Sequence, residues 1–394
     1  MDSIQFVLIQ AALIALYYSS EKNEEKRYSL NTSFYLNTYH DELENFIVFR
    51  EKENNNAPYI GYNSNLNEGQ LVTHSICLHA PSFHTSIYNI KFDVYPEHYE
   101  LPWMLNNISL ETILKRFNAI QKHDYNGATL AVKKVKFEAG SVIISFNHAS
   151  YYSYLATNLI PEVPIHGKLT YRCILEPGPK LNPLESSLPE NHLGLSCLFI
   201  TSDGYIIIPK RSKYTNVFKE QLSPSVSGAG NSSTCFDDRT NSYNALAWLR
   251  QEASEELPFL FNNNHPYFTV LDNALTTAQY IGMSRELRRC GKPEIFFQCS
   301  LPILKSEIQD LLKSSVKKNI KCDSFSIDRN ENETYFFINQ NDLLSKISLL
   351  SKKKFRFDNF KFTSSDYFIM DIDGSNYVIS ESLLINIAFK YLSK

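Results

Sequence analysis

The chain has 394 residues and a formal net charge of −3, with 43% apolar and 21% charged residues. The composition is that of a globular protein with ample core material, and the length exceeds one compact core of usual size, which predicts two domains. A charge so near balance argues against an electrostatically driven nucleic-acid binder.

The first predicted element is an apolar run from Ile4 to Tyr18, broken by Gln5 and Gln10. As a helix it rises only about 22 Å, short of the roughly 30 Å hydrocarbon core of a bilayer. Residues 1–20 therefore read as a buried hydrophobic helix. Tyr17, Tyr18 and the charged stretch Glu21 to Arg27 keep a single membrane anchor open as the alternative. No basic stretch precedes the run, so a secretory signal is not expected. The seven cysteines are scattered and none has C-x-x-C spacing. Free thiols in a reducing cytoplasm are the expectation.

Residues 28–176 read as a β-rich N-terminal domain. Short aromatic strands run to residue 105, with turn signals at Asn54-Asn55-Asn56 and Asn63-Ser64-Asn65. Leu110 to Gln121 has helical spacing of its apolar residues. Leu130–Phe137 and Ser141–Phe146 form a predicted hairpin around Glu138-Ala139-Gly140. His74, Cys77, His79 and His84 lie close in sequence, but their spacing fits no common zinc framework. The proline-rich stretch Pro177 to Pro189 reads as a linker into a second domain, residues 190–394.

That domain opens with an apolar strand from Gly194, an Asp203-Gly204 turn, and a second strand ending at Arg211-Ser212, the pattern of a hairpin. Gly228 and Gly230 follow in a loop, then the run Leu249-Arg250-Gln251-Glu252-Ala253-Ser254-Glu255-Glu256-Leu257. In a helix Glu252, Glu255 and Glu256 share one face, opposite the apolar stripe Leu246, Leu249, Ala253 and Leu257. Three crowded carboxylates make either a solvated acidic face or a seat for a hard divalent cation. Phe268–Val270 and Thr277–Ile281 read as strands. Tyr280 to Cys299 reads as strand, basic turn (Arg285, Arg288, Arg289, Lys292) and strand. Ile303–Leu312 and Asn341–Leu350 read as helices, with a strand at Tyr335–Ile338. The tail turns at Asp373-Gly374 and closes with a helix from Glu381 to Leu392.

Strand, Asp-Gly turn, strand ending in Arg-Ser, glycine loop and Glu-x-x-Glu-Glu helix together resemble the Nudix hydrolases. The run Ser150-Tyr151 to Thr157-Asn158 resembles an element of the Nudix subgroup that cleaves UDP-sugars. The sequence departs from the family signature at Gln251, Pro258 and Tyr243, where the family has Arg, Gly and Glu. The resemblance spans roughly residues 125–345. It implies an α+β fold, a Nudix-type α/β/α sandwich around a mixed sheet, preceded by the β-rich domain. It implies an enzyme cleaving a nucleoside diphosphate linked to another group, a nucleotide sugar favoured, with Mg²⁺ or Mn²⁺. Glu252, Glu255 and Glu256 are then the metal-holding and catalytic residues, with Glu294 a further metal or base candidate. Arg211, Arg285 and Lys292 are phosphate-binding candidates, and Gly228 and Gly230 let backbone approach the substrate. Glu331 and Glu333 lie in a polar stretch and are weaker candidates for the metal or base, with a solvated loop the favoured reading. The alternative implied by the departures is a nucleotide sensor that keeps the fold without turnover.

Overall fold

The computed structural model describes residues 35, 38–50, 60–62, 70–83, 85–106, 126–161, 164–166, 169–212, 220–262, 267–317, 332–351 and 366–392. The expected helices at 1–20 and 110–121, and His84, Cys322 and Glu331, lie outside them. The fold is α+β with mixed sheets.

Its centre is a ten-stranded sheet. The strands used below are β1 (Phe46–Arg50), β2 (Ile60–Tyr62), β3 (Gln70–His79), β4 (Ile90–His98), β5 (Ala128–Glu138), β6 (Ser141–Ser150), β7 (Gly194–Ile200), β8 (Tyr205–Arg211), β9 (Val226–Ala229), β10 (Gln279–Glu286), β11 (Lys292–Ser300) and β12 (Asn332–Asn339). The order across the main sheet is β12-β8-β7-β11-β10-β3-β1-β2; β9 adds to β7, and the two-residue strand Thr85–Ser86 adds to β10. β7 and β11 are parallel, with Gly194 opposite Glu294 and Ile200 opposite Ser300. β9 runs antiparallel to β7, with Gly228 opposite Leu195 and Ser227 opposite Ser196.

Every residue of β7 is buried. A strand covered on both faces needs no polar alternation, which explains its unbroken apolar character. The two faces have different covers. Leu195, Cys197 and Phe199 pack with Trp248, Leu249 and Ala253 of helix α2 (Ala245–Glu256). Leu198 and Ile200 pack with Leu384, Ile387 and Ala388 of helix α5 (Glu381–Leu392). Gly282 is what lets α5 seat: a Cβ there would lie 2.4 Å from the Phe389 ring. Outside α2 lies a second sheet, β4-β6-β5, whose Ile90, Leu130, Val132 and Phe146 join the same core.

The expected division at Pro177 to Pro189 does not separate two sheets. β3 and β1, from the N-terminal part, pair into the main sheet through β10, with Cys77 opposite Ser284 and Ile76 opposite Arg285. The hairpin β5–β6 and the closing helix Glu381–Leu392 form where the pattern places them. The expected helix at 303–312 runs from Lys305 to Lys317 as α4. Two assignments are corrected. Phe268–Val270 opens a helix, α3 (Phe268–Leu275), whose Asp272 takes a bidentate bond from Arg250 at 2.7 and 2.9 Å. Residues 341–350 form a short 3₁₀ turn at Leu344–Lys346 and a strand at Ile347–Ser351.

Among the described residues no helix is long and apolar enough to cross a membrane. The six described cysteines are free.

Candidate active site

Helix α2 begins at Asn244, whose side chain accepts from the Ala247 N–H at 2.8 Å. This caps one of the unsatisfied amides of the first turn. The helix ends at Glu256, two residues before Pro258, as a following proline requires. Its apolar stripe anchors it to β7, and that anchoring fixes where the glutamates go.

Glu252 is buried. Its carboxylate accepts from Trp248 Nε1, one turn earlier, at 2.9 Å. It lies directly over Gly228, where a Cβ would come within 2.0 Å of the carboxyl group. Only glycine leaves that space. Glu256 is also buried. It accepts from the Ser227 N–H at 3.0 Å and, more loosely, from Arg211 Nη1 at 3.5 Å. Arg211 Nη1 also reaches Ser227 Oγ at 3.4 Å. Glu255 is half-buried and bonded to Gln251. The structure thus brings Glu252, Glu256, Arg211, Ser227 and Gly228 together, with Glu255 at the outer edge.

Hard carboxylate oxygens suit Mg²⁺ or Mn²⁺, the expectation for Glu252, Glu255 and Glu256. Among the described residues no three His, Cys, Asp or Glu side chains converge as a metal site. Glu255 turns to Gln251, while Glu252 and Glu256 turn to β9. Arg250 is tied to Asp272 of α3 and braces the helix from another side.

Five other candidates sit elsewhere. Gly230 packs against Trp248 and Cys235, its N–H donates to Leu193 O at 3.0 Å, and its carbonyl accepts from His192 Nε2 at 2.8 Å. Its backbone is committed within the protein. Arg285 is buried and donates to Gly291 O, Asn182 O, Glu176 and Ser187. A guanidinium so fully engaged is a structural clamp and presents no fork to a phosphate. Glu294 shares a sheet face with Ser196 and Phe296, the face opposite the one Glu252 covers. It accepts from Ser196 Oγ at 2.6 Å and Arg289 Nη2 at 3.0 Å. Lys292 lies buried beside it, Nζ 3.9 Å from the Glu294 carboxylate. Burial, aided by the Arg289 charge, pushes Lys292 down to about 7. Glu333 is in β12, paired with Lys210 at 2.8 Å.

The sequence reading missed Ser227 and Trp248. Trp248 was findable, being four residues before Glu252 and hence on its face. Ser227 acts through its backbone, which no residue type announces. The Thr157-Asn158 pair, at the end of helix α1 (Tyr151–Thr157), has a bracing role. Thr157 Oγ1 accepts from the Glu190 N–H, Asn158 Oδ1 accepts from the Asn191 N–H, and Asn158 Nδ2 donates to Arg289 O. These bonds fix the lead-in to β7 and the turn before β11. In the histidine cluster, His74 approaches Glu381 at 3.7 Å and His79 bonds to Tyr280. Neither joins a metal site.

No family model matches the chain, and no curated protein matches it. A solved structure, the crystal structure of DR0079 from Deinococcus radiodurans, is similar over 38% of this chain and 68% of its own length, at 15% identity and a TM-score of 0.23. A likeness that loose carries no argument about fold or function.

Proposed function

We propose that the chain is a Nudix-type hydrolase cleaving a nucleoside diphosphate linked to another group, with a nucleotide sugar the favoured substrate. The supporting observation is the meeting of one helix face with one strand: Glu252 and Glu256 lie against Ser227-Gly228, with Arg211 beside them. A bound divalent cation would neutralise pyrophosphate charge and lower the pKa of a water. The chain's own residues do the rest. Arg211 can exchange its loose contact with Glu256 for substrate phosphate oxygens in the bidentate manner guanidinium favours. The Ser227 N–H holds the Glu256 carboxylate, so its second oxygen keeps a fixed direction. Gly228 leaves the space that Glu252 occupies. The closing helices and the mixed sheet between them support a Nudix-type sandwich.

A second reading, a nucleotide sensor without turnover, is favoured by the bonds Glu252 and Glu256 already hold inside the protein and by Gln251 and Pro258. A screen of nucleoside-diphosphate compounds with Mg²⁺ or Mn²⁺, reading phosphate or monophosphate release, separates the two. Release with one compound supports the hydrolase. Saturable binding without release under any metal supports the sensor.

Gly228→Ala gives a sharper check on the geometry. The new methyl must displace the Glu252 carboxylate from Trp248. Affinity for Mn²⁺ by calorimetry is expected to fall about tenfold or more, as it does when groups supporting a metal ligand are lost. Unchanged affinity would show that Glu252 holds no metal.

A further inference from the structure

A cavity of about 480 Å³ opens at the far end of the main sheet, lined in part by Gln279, Gln298, Ser300, Gln340 and Lys390. Its volume is in the range of small-ligand sites. It lies at the carboxyl ends of the parallel strands β7 and β11, where Ile200 pairs with Ser300. Ser196, opposite Ser227, is four residues earlier on β7. The cavity is therefore on the order of 13 Å along the strand from the Ser227–Glu256 contact, and none of Glu252, Glu256, Arg211, Ser227 and Gly228 lines it.

Its chemistry is set by one cation. Lys390, in the last turn of α5, is only 5% exposed. Its Nζ donates to Gln298 Oε1 at 3.3 Å, and Gln298 Nε2 donates to Gln279 Oε1 at 3.1 Å. An ammonium has donors and no acceptor, so the Gln298 amide must turn its oxygen to Lys390. Its nitrogen then faces Gln279, whose oxygen must accept. The order Lys390, Gln298, Gln279 is thereby fixed, and the Gln279 amide turns its donor nitrogen away from Gln298. Hydrogen bonds aligned in this way polarise one another. Among the described lining residues there is no Asp or Glu. The lining is polar, with amides and hydroxyls that can donate and one lysine at its base.

We propose that this cavity is a second binding site, separate from the glutamate helix, that takes a small oxyanion: the carboxylate or phosphate group of a soluble ligand. The oxyanion would lie against the Lys390 ammonium and the donor end of the Gln298–Gln279 pair. A single ammonium matches one anionic group, and the C-terminal dipole of α5 already offsets part of its charge. Binding is expected to need the amide donors as well as the lysine.

The test uses the full chain carrying Arg211→Ala, which silences the basic group of the other site. Inorganic phosphate and acetate are titrated separately by calorimetry at constant ionic strength against chloride. One saturable site for either anion is expected, with phosphate alone marking a phosphoryl ligand and acetate alone a carboxylate ligand. Lys390→Met is expected to weaken it at least tenfold. Gln298→Glu is the second variant, because it keeps the side-chain shape and places a carboxylate beside Lys390. It is expected to abolish binding with the thermal midpoint retained. No saturable heat with either anion, or binding that survives both substitutions, would overturn the proposal. Neither result depends on whether the glutamate helix supports turnover.

Discussion

Glu256→Gln is expected to reduce turnover of the nucleotide substrate by two or more orders of magnitude, about 3 kcal/mol of barrier or more. The substitution is nearly isosteric. The glutamine oxygen can still accept from the Ser227 N–H, which now holds the carboxylate at 3.0 Å. What disappears is the negative charge facing Arg211 and any metal. The thermal midpoint should therefore move little while kcat falls. Arg211→Ala should act differently. Removing a group that holds substrate phosphate in ground and transition states alike raises KM more than it lowers kcat. Steady-state kinetics on both variants, with circular dichroism to verify folding, make the comparison. If Glu256→Gln keeps wild-type kcat, Glu256 is structural and the turnover is not carried by this helix face.

The sequence showed the elements of this site better than their surroundings. The acidic helix, the glycine before it and the arginine ending β8 were legible because each depends on local spacing. Three carboxylates and one apolar stripe fit a helix, and an Asp-Gly turn between apolar runs fits a hairpin. Contacts across the fold were not legible. Arg285 reads as a basic residue in a turn, yet its acceptors Asn182 and Glu176 lie 103 and 109 residues away. Glu294 reads as a carboxylate near the site, yet the parity of β11 places it on the other face of the sheet. A one-residue difference in register would have reversed that outcome. Phe268-Thr269-Val270 has β-forming residues, but it docks as a helix through Asp272 and Leu271. The pairing of β3 with β10 was hidden for a related reason, since it joins segments some two hundred residues apart across the expected division. Sequence pattern names faces and periods, whereas long-range pairing decides which faces meet.

The buried charges that the sequence left hidden give the second large effect, on stability against pH. Glu190 is buried just before β7, with Oε1 accepting from Thr129 Oγ1 at 2.8 Å. Burial pushes its carboxyl from the ordinary 4.5 up to about 8, against the pull of hydroxyls from Ser153 and Thr129. Between those pH values the folded chain keeps a proton that the unfolded chain has lost. Stability from this group is therefore full below about pH 4.5, falls as pH rises, and is gone above about pH 8. Its charged neighbours titrate in other senses. His192, with Nδ1 4.0 Å from Glu190, is pushed down to about 3 by burial and the Lys292 charge, so it is neutral through most of this window. Lys292, pushed down to about 7, makes stability rise with pH from there upward. Comparing Glu190→Gln with the parent cancels both neighbours. The amide is neutral at every pH, so the two proteins should match near pH 4, and the variant should become the more stable as pH rises. Each unit of the window is worth up to about 1.4 kcal/mol, so the difference at pH 9 should be on the order of several kcal/mol. Urea denaturation of both proteins at intervals from pH 4 to pH 9 measures it. A difference that stays flat with pH, or a variant that is less stable than the parent at pH 9, would show that Glu190 is ionised in the folded chain and stabilised by partners this geometry does not give it.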